Sequence, residues 1–158
     1  MESEFRMRRR VEFSETDMAG IMHFSNTFLW MESCETAFYR SLGFPLIAFQ
    51  PGVFSGWPRV KATCEYRSPF RFGEEVEIRL TVTEIRTRAI VYSFHFHRIV
   101  GRRAEAKASA TGEITAVYVS VDPKTGIMTS TPIPQNVRSK IGTVLAKAQV
   151  VKSSRAKG

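Results

Sequence analysis

The residues with the most chemical promise stand together in one short segment, residues 11–26. Asp17 lies in a stretch of turn-forming residues that ends at Gly20, and Ser25 and Asn26 can cap a helix that follows. A helix start offers unpaired backbone N–H groups and the positive end of the helix dipole, so it can stabilise a developing oxyanion. A carboxylate presented a few residues earlier would lie beside the same point. Asp17 is therefore a candidate catalytic acid, although the same residue type also serves as an ordinary turn residue.

Other kinds of chemical site find little support in the sequence. His95 and His97 share one face of a predicted strand, but no acidic or cysteine third ligand accompanies them, so we expect no metal site. The chain has no P-loop, no dinucleotide fingerprint and no nucleophile elbow. A Ser-His-Asp triad cannot be identified from spacing alone.

The element that must position Asp17 is a helix predicted from Ser25 to Leu42. Its apolar residues recur at spacings of three, four or seven, and they are Phe24, Phe28, Met31, Phe38 and Leu42. Gly43 followed by Pro45 ends the helix. Glu35 is the polar residue on this stripe, and we expect it at the edge, where it is paired or reaches water.

The rest of the chain is predicted to be mainly strands. Glu4 to Phe13 forms a first strand, residues 46–56 are irregular, and Asp122 to Gly126 is a turn. Residues 132–148 can hold a short helix. The four later strands lie within Trp57 to Tyr66, Val76 to Val82, Ile90 to Phe96 and Ala104 to Val121, the last of which should be buried on both faces in its second half. Strands that follow strands favour an antiparallel sheet, so the fold class is α+β. The helix covers one sheet face, and a second subunit is the simplest cover for the other.

Length and composition are those of one soluble domain. The 158 residues are 43% hydrophobic and contain only two cysteines, Cys34 and Cys64, which favours reduced thiols over a disulfide scaffold. We expect one domain over residues 1–149 and a frayed basic tail over 150–158. Without a visible signal peptide or a membrane-length apolar stretch, the expected location is cytoplasmic.

The net charge of +8 favours polyanionic partners such as nucleic acid, an anionic membrane or a phosphate-bearing ligand. Nucleic acid binding predicts aromatic residues interleaved with basic ones on an exposed face. Here Tyr92, Phe94 and Phe96 line one strand face as core residues do, so we expect no nucleic acid partner.

Residues 11–43, VEFSETDMAGIMHFSNTFLWMESCETAFYRSLG, resemble the opening of hotdog-fold acyl-CoA thioesterases of the 4-hydroxybenzoyl-CoA thioesterase type, which includes the Tol-Pal-cluster thioesterases. The matching residues are Asp17, Gly20, Asn26, Trp30 and Glu32. The resemblance continues through R-S-P-F-R-F-G-E-E-V and V-D-P-K-T-G to P-I-P near the end. It implies a sheet wrapped around the long helix, two subunits paired edge to edge, and active sites at the dimer interface. A homodimer or homotetramer is therefore expected.

The resemblance also assigns roles to residues. Asp17 matches the catalytic carboxylate, which attacks the thioester carbonyl or activates a water, and the backbone N–H of Phe24 matches the group that polarises that carbonyl. Glu32 matches a position that grips the distal end of an aromatic acyl group in one member. Gly20, His23 and Asn26 are further substrate-binding candidates. The loop Arg86-Thr87-Arg88 falls where members contact the phosphates of coenzyme A, which is part of the substrate, so no separate cofactor is expected.

Some features depart from the family pattern. Glu35 stands where relatives often have a basic residue, and Trp57 and Phe54 could reshape the acyl pocket. The acyl group is therefore not defined. A hotdog dehydratase is disfavoured because the predicted helix contains no histidine. A non-catalytic acyl-CoA-binding module remains an alternative, which an intact Asp17 argues against.

Overall fold

A computed structural model describes residues 4–44 and 54–142 of the chain. It contains one long helix, α1 (Asn26–Ser41), and a short 3-10 turn (Phe13–Glu15). Residues 135–142 are also helical. The strands are β1 (Phe5–Arg10), β2 (Phe54–Gly56), β3 (Arg59–Tyr66), β4 (Glu75–Ile85), β5 (Ala89–Val100), β6 (Arg103–Ala104), β7 (Ala110–Val117), β8 (Val119–Val121) and β9 (Met128–Ser130).

The main sheet is antiparallel, with the strand order β1-β4-β5-β7-β3 and with β6 paired to β5. The four long strands predicted after the helix are present as β3, β4, β5 and β7. Alternate residues of β4 and β5 face the helix and are buried, as the period of two predicts: Val76, Ile78, Leu80, Val82, Ile90, Tyr92, Phe94 and Phe96. The α+β class and the sheet wrapped over one helix are therefore confirmed.

Helix α1 packs on the inner face of this sheet through a stripe with helical spacing. Its buried residues are Thr27, Trp30, Met31, Cys34, Glu35, Phe38 and Tyr39. The predicted stripe is wrong at its first position, because Phe24 precedes the helix and is 61% exposed. Gly112 of β7 makes the close approach possible, since a Cβ there would stand 2.3 Å from the Met31 sulfur atom.

The first strand is shorter than predicted. Strand β1 ends at Arg10. The next residue, Val11, donates a backbone hydrogen bond to Glu74 and accepts one from Gly73, just before β4 begins. The chain then enters the 3-10 turn, whose Glu12 and Glu15 each accept a hydrogen bond from the other's backbone in a capping box. A polar capping box therefore replaces the end of the predicted strand.

The predicted long strand from Ala104 to Val121 is interrupted. Strand β7 ends at Val117, and β8 joins β2 and β9 in a separate three-stranded sheet. The predicted turn at Asp122 is present, closed by a hydrogen bond from the Gly126 N–H to the Asp122 carbonyl oxygen. The predicted irregular segment lies outside the described residues except for its last part, which forms β2. The predicted C-terminal helix is present only over residues 135–142 of the described chain.

Candidate active site

The turn that carries Asp17 is tightly fixed by its own backbone. Thr16 and Met22 form an isolated antiparallel bridge, and the Asp17 N–H donates to the Ile21 carbonyl oxygen at 2.9 Å. The Asp17 Oδ1 accepts the Ala19 N–H at 2.8 Å, while Oδ2 has no partner in the described part of the chain. Gly20 has a φ of +76°, which side chains disfavour. One carboxylate oxygen of Asp17 therefore stays available.

Glu15 joins this turn to the start of α1. Its Oε1 accepts the indole N–H of Trp30 at 2.8 Å, and its Oε2 accepts the Glu12 N–H at 2.9 Å. Its carbonyl oxygen accepts both the His23 N–H at 2.8 Å and the Asn26 side-chain amide at 2.8 Å. The acid-bearing turn and the helix start are thus held as one unit.

The helix start presents an unused backbone donor. No acceptor in residues 4–44 and 54–142 takes the Phe24 N–H. The His23 ring is exposed, bonds the Ser25 hydroxyl through Nδ1 at 2.8 Å and stacks on the Phe24 ring at 4.5 Å. Neither Ser25 nor Asn26 caps the helix with its side chain, because these groups bond His23 and Glu15 instead. The donor that the resemblance assigned to carbonyl polarisation is therefore free.

Asp17 and Phe24 line the same cavity of about 360 Å³. The other lining residues are Ile21, Met22, Thr27, Tyr66, Arg67, Ser68, Pro69 and Phe70. Met22 fixes one wall through a hydrogen bond from its N–H to the Phe70 carbonyl oxygen at 2.7 Å. An acidic residue and a residue with an unused backbone donor that line one cavity can act together on a bound carbonyl group.

Tyr66, at the end of β3, was missed by the sequence analysis. Its hydroxyl lies 2.7 Å from the Phe24 carbonyl oxygen, to which it donates, and 2.8 Å from the Thr27 hydroxyl. Burial raises the pKa of Tyr66, which keeps this donor protonated. Tyr66 lies beside the helix start because β3 pairs with β7 in the sheet. This contact joins distant parts of the chain, so the local sequence does not predict it.

The other predicted substrate residues occupy different places. Gly20 and His23 belong to the exposed loop around Asp17, and the Asn26 side chain is engaged with Glu15. Glu32 is exposed on α1 and does not line the cavity around Asp17. Their contacts with substrate stay predictions.

The loop Arg86-Thr87-Arg88 connects β4 to β5. The Arg86 guanidinium donates two hydrogen bonds of 2.9 Å to Glu84, and Arg88 donates to the carbonyl oxygen of Ser130 at 3.0 Å. Arg138, which the sequence analysis did not single out, donates to the Arg86 carbonyl oxygen at 2.7 Å. Three arginines therefore gather at this tip of the sheet.

This tip lies far from Asp17 within one chain. Val11, near the Asp17 turn, bonds Glu74 at the beginning of β4, whereas the arginine loop follows the end of that strand. The 11 residues of β4 span about 35 Å. The two predicted sites are therefore at opposite ends of the sheet.

A second polar group is buried beneath the middle of α1. Glu35 is fully buried and accepts a hydrogen bond from Arg59 through Oε2, whereas its Oε1 has no hydrogen-bond partner among the described residues. Burial raises the pKa of Glu35 to about 7, against the opposing effects of the Arg59 guanidinium and the Tyr92 hydroxyl. The hydroxyls of Tyr92 and Tyr39 bond each other at 2.5 Å. Glu35 is thus paired, as expected, but it lies inside the molecule and not at its edge.

No three histidine, cysteine or acidic side chains of the described ranges come together as a metal site. Among the described helices, none is long and apolar enough to cross a membrane.

Comparison with known proteins gives a consistent result. The model of the thioesterase-like superfamily matches residues 11–141. One relative is a protein of Aquifex aeolicus (strain VF5) that is named as an esterase. It is 36% identical over 106 residues, which cover 67% of this chain and 79% of that protein. A solved gentisyl-coenzyme A thioesterase is 28% identical, with a TM-score of 0.70 over 87% of this chain and 98% of its own.

A 4-hydroxybenzoyl-CoA thioesterase from Pseudomonas sp. strain CBS-3 shares the fold. Its TM-score is 0.74 at 18% identity, and the match covers 87% of this chain and 98% of the other. The acid-bearing turn and the whole of α1 fall inside the range that the family model matches. The chain therefore belongs to the thioesterase-like superfamily of hotdog-fold thioester hydrolases.

Proposed function

We propose that this protein is an acyl-CoA thioesterase that uses Asp17 and the Phe24 N–H to hydrolyse a thioester to a carboxylic acid and free coenzyme A. The proposal rests on one observation: Asp17, whose Oδ2 has no partner among the described residues, and Phe24, whose backbone N–H has no acceptor there, line one cavity. The gentisyl-coenzyme A thioesterase among its relatives supports the coenzyme A ester as the substrate class.

The Phe24 N–H donates to the thioester carbonyl oxygen and stabilises the negative charge that develops there. The Asp17 carboxylate attacks the carbonyl carbon, or removes a proton from the water that does so. In the first route the C–S bond breaks as the acyl group forms an anhydride with Asp17, and one water then hydrolyses this anhydride and frees Asp17. In the second route the water attacks the thioester directly and the C–S bond breaks. Both routes consume one water, yield the carboxylic acid, and pass one proton to the thiolate of coenzyme A. Tyr66 supports the donor by holding the Phe24 carbonyl oxygen.

The phosphates of coenzyme A are assigned to the arginine loop, where planar guanidinium groups suit phosphate oxygens. This loop and the Asp17 turn lie at opposite ends of β4, so within a single chain the length of that strand, about 35 Å, separates them. A homodimer can bring the loop of one copy toward Asp17 of the other, which agrees with the interface site that the resemblance implies. The active unit is therefore proposed to be at least a dimer.

Replacing Asp17 with Asn tests the assignment. The amide keeps the bond to the Ala19 N–H but is neither a nucleophile nor a base, so kcat for thiol release should fall at least about 100-fold. Asp122→Asn is the matched control, because Asp122 Oδ1 accepts the Lys124 N–H at 2.7 Å in a similar turn outside the cavity. The control should keep the wild-type rate.

Two results would overturn the proposal. One is near wild-type turnover by the Asp17→Asn variant. The other is a wild-type protein that binds acyl-CoA esters but releases no thiol from any of them, which is the behaviour of a non-catalytic binding module.

A further inference from the structure

The backbone donor of Phe24 belongs to a peptide unit whose opposite side is fixed. The carbonyl oxygen of His23, in the same unit, accepts the Asn26 N–H at 3.0 Å. In a trans peptide the C=O and the N–H point in opposite directions, and no peptide bond of the described residues is cis. The Phe24 N–H therefore points away from the first turn of α1, and a rotation that re-aims it would break the bond to Asn26.

The Asn26 side chain bonds this segment to the turn that carries Asp17. Its amide nitrogen donates to the Glu15 carbonyl oxygen at 2.8 Å, and the same oxygen accepts the His23 N–H at 2.8 Å. A carbonyl oxygen only accepts, so the group of Asn26 that faces it is the amide nitrogen. Residues on both sides of the Phe24 donor are thus bonded to one oxygen atom, two residues before Asp17.

The carbonyl group of Phe24 is held separately. Its oxygen accepts the Tyr66 hydroxyl and the Thr27 hydroxyl, each at 2.7 Å. These bonds belong to the next peptide unit, so they restrain the unit with the donor only indirectly. Among the side chains of residues 23–26, Asn26 is the one that bonds the Asp17 turn, whereas His23 and Ser25 bond each other.

Asn26 itself does not face the substrate cavity. It is half buried and does not belong to the residues that line the cavity around Asp17. Its bonds all lead to the backbone that carries the donor and to the turn that carries the acid. A role for Asn26 in the reaction would therefore act through Phe24 and not through contact with substrate.

We propose that Asn26 is a positioning residue that keeps the Phe24 N–H aligned with Asp17, so that donor and carboxylate meet the same carbonyl group. This inference rests on the proposed thioesterase function and adds a residue to it. A misplacement of about 1 Å can cost about 100-fold in rate, and the loss of an oxyanion donor costs about 100- to 1000-fold. Without the Asn26 side chain the donor is still present but less well aimed.

The first test separates kcat from KM in Asn26→Ala. Thiol release is measured with benzoyl-CoA and octanoyl-CoA, and the ester that the wild-type protein cleaves faster is used throughout. We expect kcat to fall about 10- to 100-fold while KM stays within about twofold, because only the transition state loses stabilisation. Asn136→Ala makes the same change at an exposed asparagine of the helix over residues 135–142 and should keep both constants.

The second test follows the donor by infrared spectroscopy. The Asp17→Asn protein binds the same ester labelled with carbon-13 at its carbonyl group, and a hydrogen bond from Phe24 lowers the stretching frequency of that group. Adding Asn26→Ala should move the band toward that of the free ester and leave Kd within about twofold. A role in stability alone would lower the free energy of unfolding and leave the band in place.

Two results would overturn the assignment. One is an Asn26→Ala variant with the wild-type kcat and an unchanged carbonyl band. The other is a rise in Kd of about tenfold or more, which would make Asn26 a substrate contact. If Asn26→Ala does not fold, Asn26→Ser takes its place, because serine is favoured at helix starts, and the same results are expected.

Failure of this inference and failure of the proposed function give different results. A wild-type protein that releases thiol, with an Asn26→Ala variant that is equally active, would overturn the inference alone. An absence of thiol release from every ester would overturn the proposed function. The carbonyl band of benzoyl-CoA bound to the two Asp17→Asn proteins would then still decide whether Asn26 aims the donor.

Discussion

Glu35 is an acid inside an apolar interior, and its proton affinity differs between the folded and unfolded chain. Its pKa is raised to about 7 from an ordinary value of 4.5, mainly by burial. Between these two values the folded state holds a proton that the unfolded state has lost. Stability therefore decreases as pH rises from about 4.5 to about 7 and is independent of this group outside that range.

The measurement is urea unfolding of the wild-type protein and of Glu35→Gln across pH 4 to 8. The difference between the two free energies of unfolding should change by on the order of 1–3 kcal/mol through this range, with the wild-type protein losing stability as pH rises. Comparing the two proteins removes the contribution of other acids such as Glu77, whose pKa is lowered by its neighbouring arginines against a burial effect of opposite sign. A flat difference would mean that Glu35 is not buried as described.

Tyr66 offers a second test at a single side chain. Tyr66→Phe removes the hydroxyl that bonds the Phe24 carbonyl oxygen and Thr27 while keeping the ring. We expect kcat to fall several-fold, with a loss of about 1 kcal/mol in unfolding free energy. Tyr118→Phe is the control, because the Tyr118 ring packs on Trp57 away from the cavity. Unchanged kcat in Tyr66→Phe would show that this hydroxyl does not support the donor.

The place of Asp17, in a turn just before α1, could be predicted because the signal is local: a turn, a glycine and a helix start stand within a few residues. Its role as the catalytic acid stays a prediction. The places of Tyr66 and Arg59 could not be predicted. Tyr66 reaches the helix start through strand pairing, and Arg59 faces inward only because a bulge shifts the register of β3. Such contacts between distant parts of the chain leave no periodic signal.

At the scale of elements, the fit of α1 on the sheet depends on Gly112. Gly112→Ala would place its Cβ 2.3 Å from the Met31 sulfur atom and 3.2 Å from the Thr63 carbonyl oxygen. Met31 can move but the backbone of β3 cannot move cheaply, so we expect a loss of about 1–3 kcal/mol in unfolding free energy. Gly56→Ala, where an added Cβ meets nothing within 4 Å, is the control in the same denaturation series. Equal stability of the two variants would contradict the packing described for α1.

The arginine loop makes a prediction about the nucleotide end of the substrate. Replacing Arg86 and Arg88 with Ala should raise KM for an acyl-CoA several-fold to about a hundredfold, most strongly at low salt. The effect should disappear with a pantetheine thioester, which lacks the nucleotide phosphates. Equal losses on both substrates would indicate a structural role, in keeping with the bonds to Glu84 and Ser130.

The elements differ in how well the sequence predicts them. Strands β4 and β5 alternate cleanly, and α1 ends at Ser41, just before the expected Gly43, whose φ is +80°. The predicted end of the first strand, at Phe13, was wrong because the capping box of Glu12 and Glu15 competes with strand pairing there. The break between β7 and β8 lies inside a continuous run of β-forming residues, so hydropathy alone does not mark it.

For the whole molecule, the separation of Asp17 from the arginine loop predicts sites shared between copies. Mixing Asp17→Asn chains with Arg86→Ala/Arg88→Ala chains should form hybrid dimers in which one of the two sites has both the acid and the arginines. Thiol release at low substrate concentration should then exceed that of either variant alone. Sedimentation provides the check on assembly. A fully active monomer, or hybrid dimers without recovery, would contradict shared sites.

The hydrogen bonds around Glu15 have a consequence for the energetics of turnover. Trp30, His23 and Asn26 all anchor on this residue, so the turn with Asp17 is already in place when no substrate is bound. The entropy of arranging the acid and the backbone donor is then lost once, during folding. Little reorganisation energy is left for each catalytic cycle, and the site is electrostatically preorganised for the transition state.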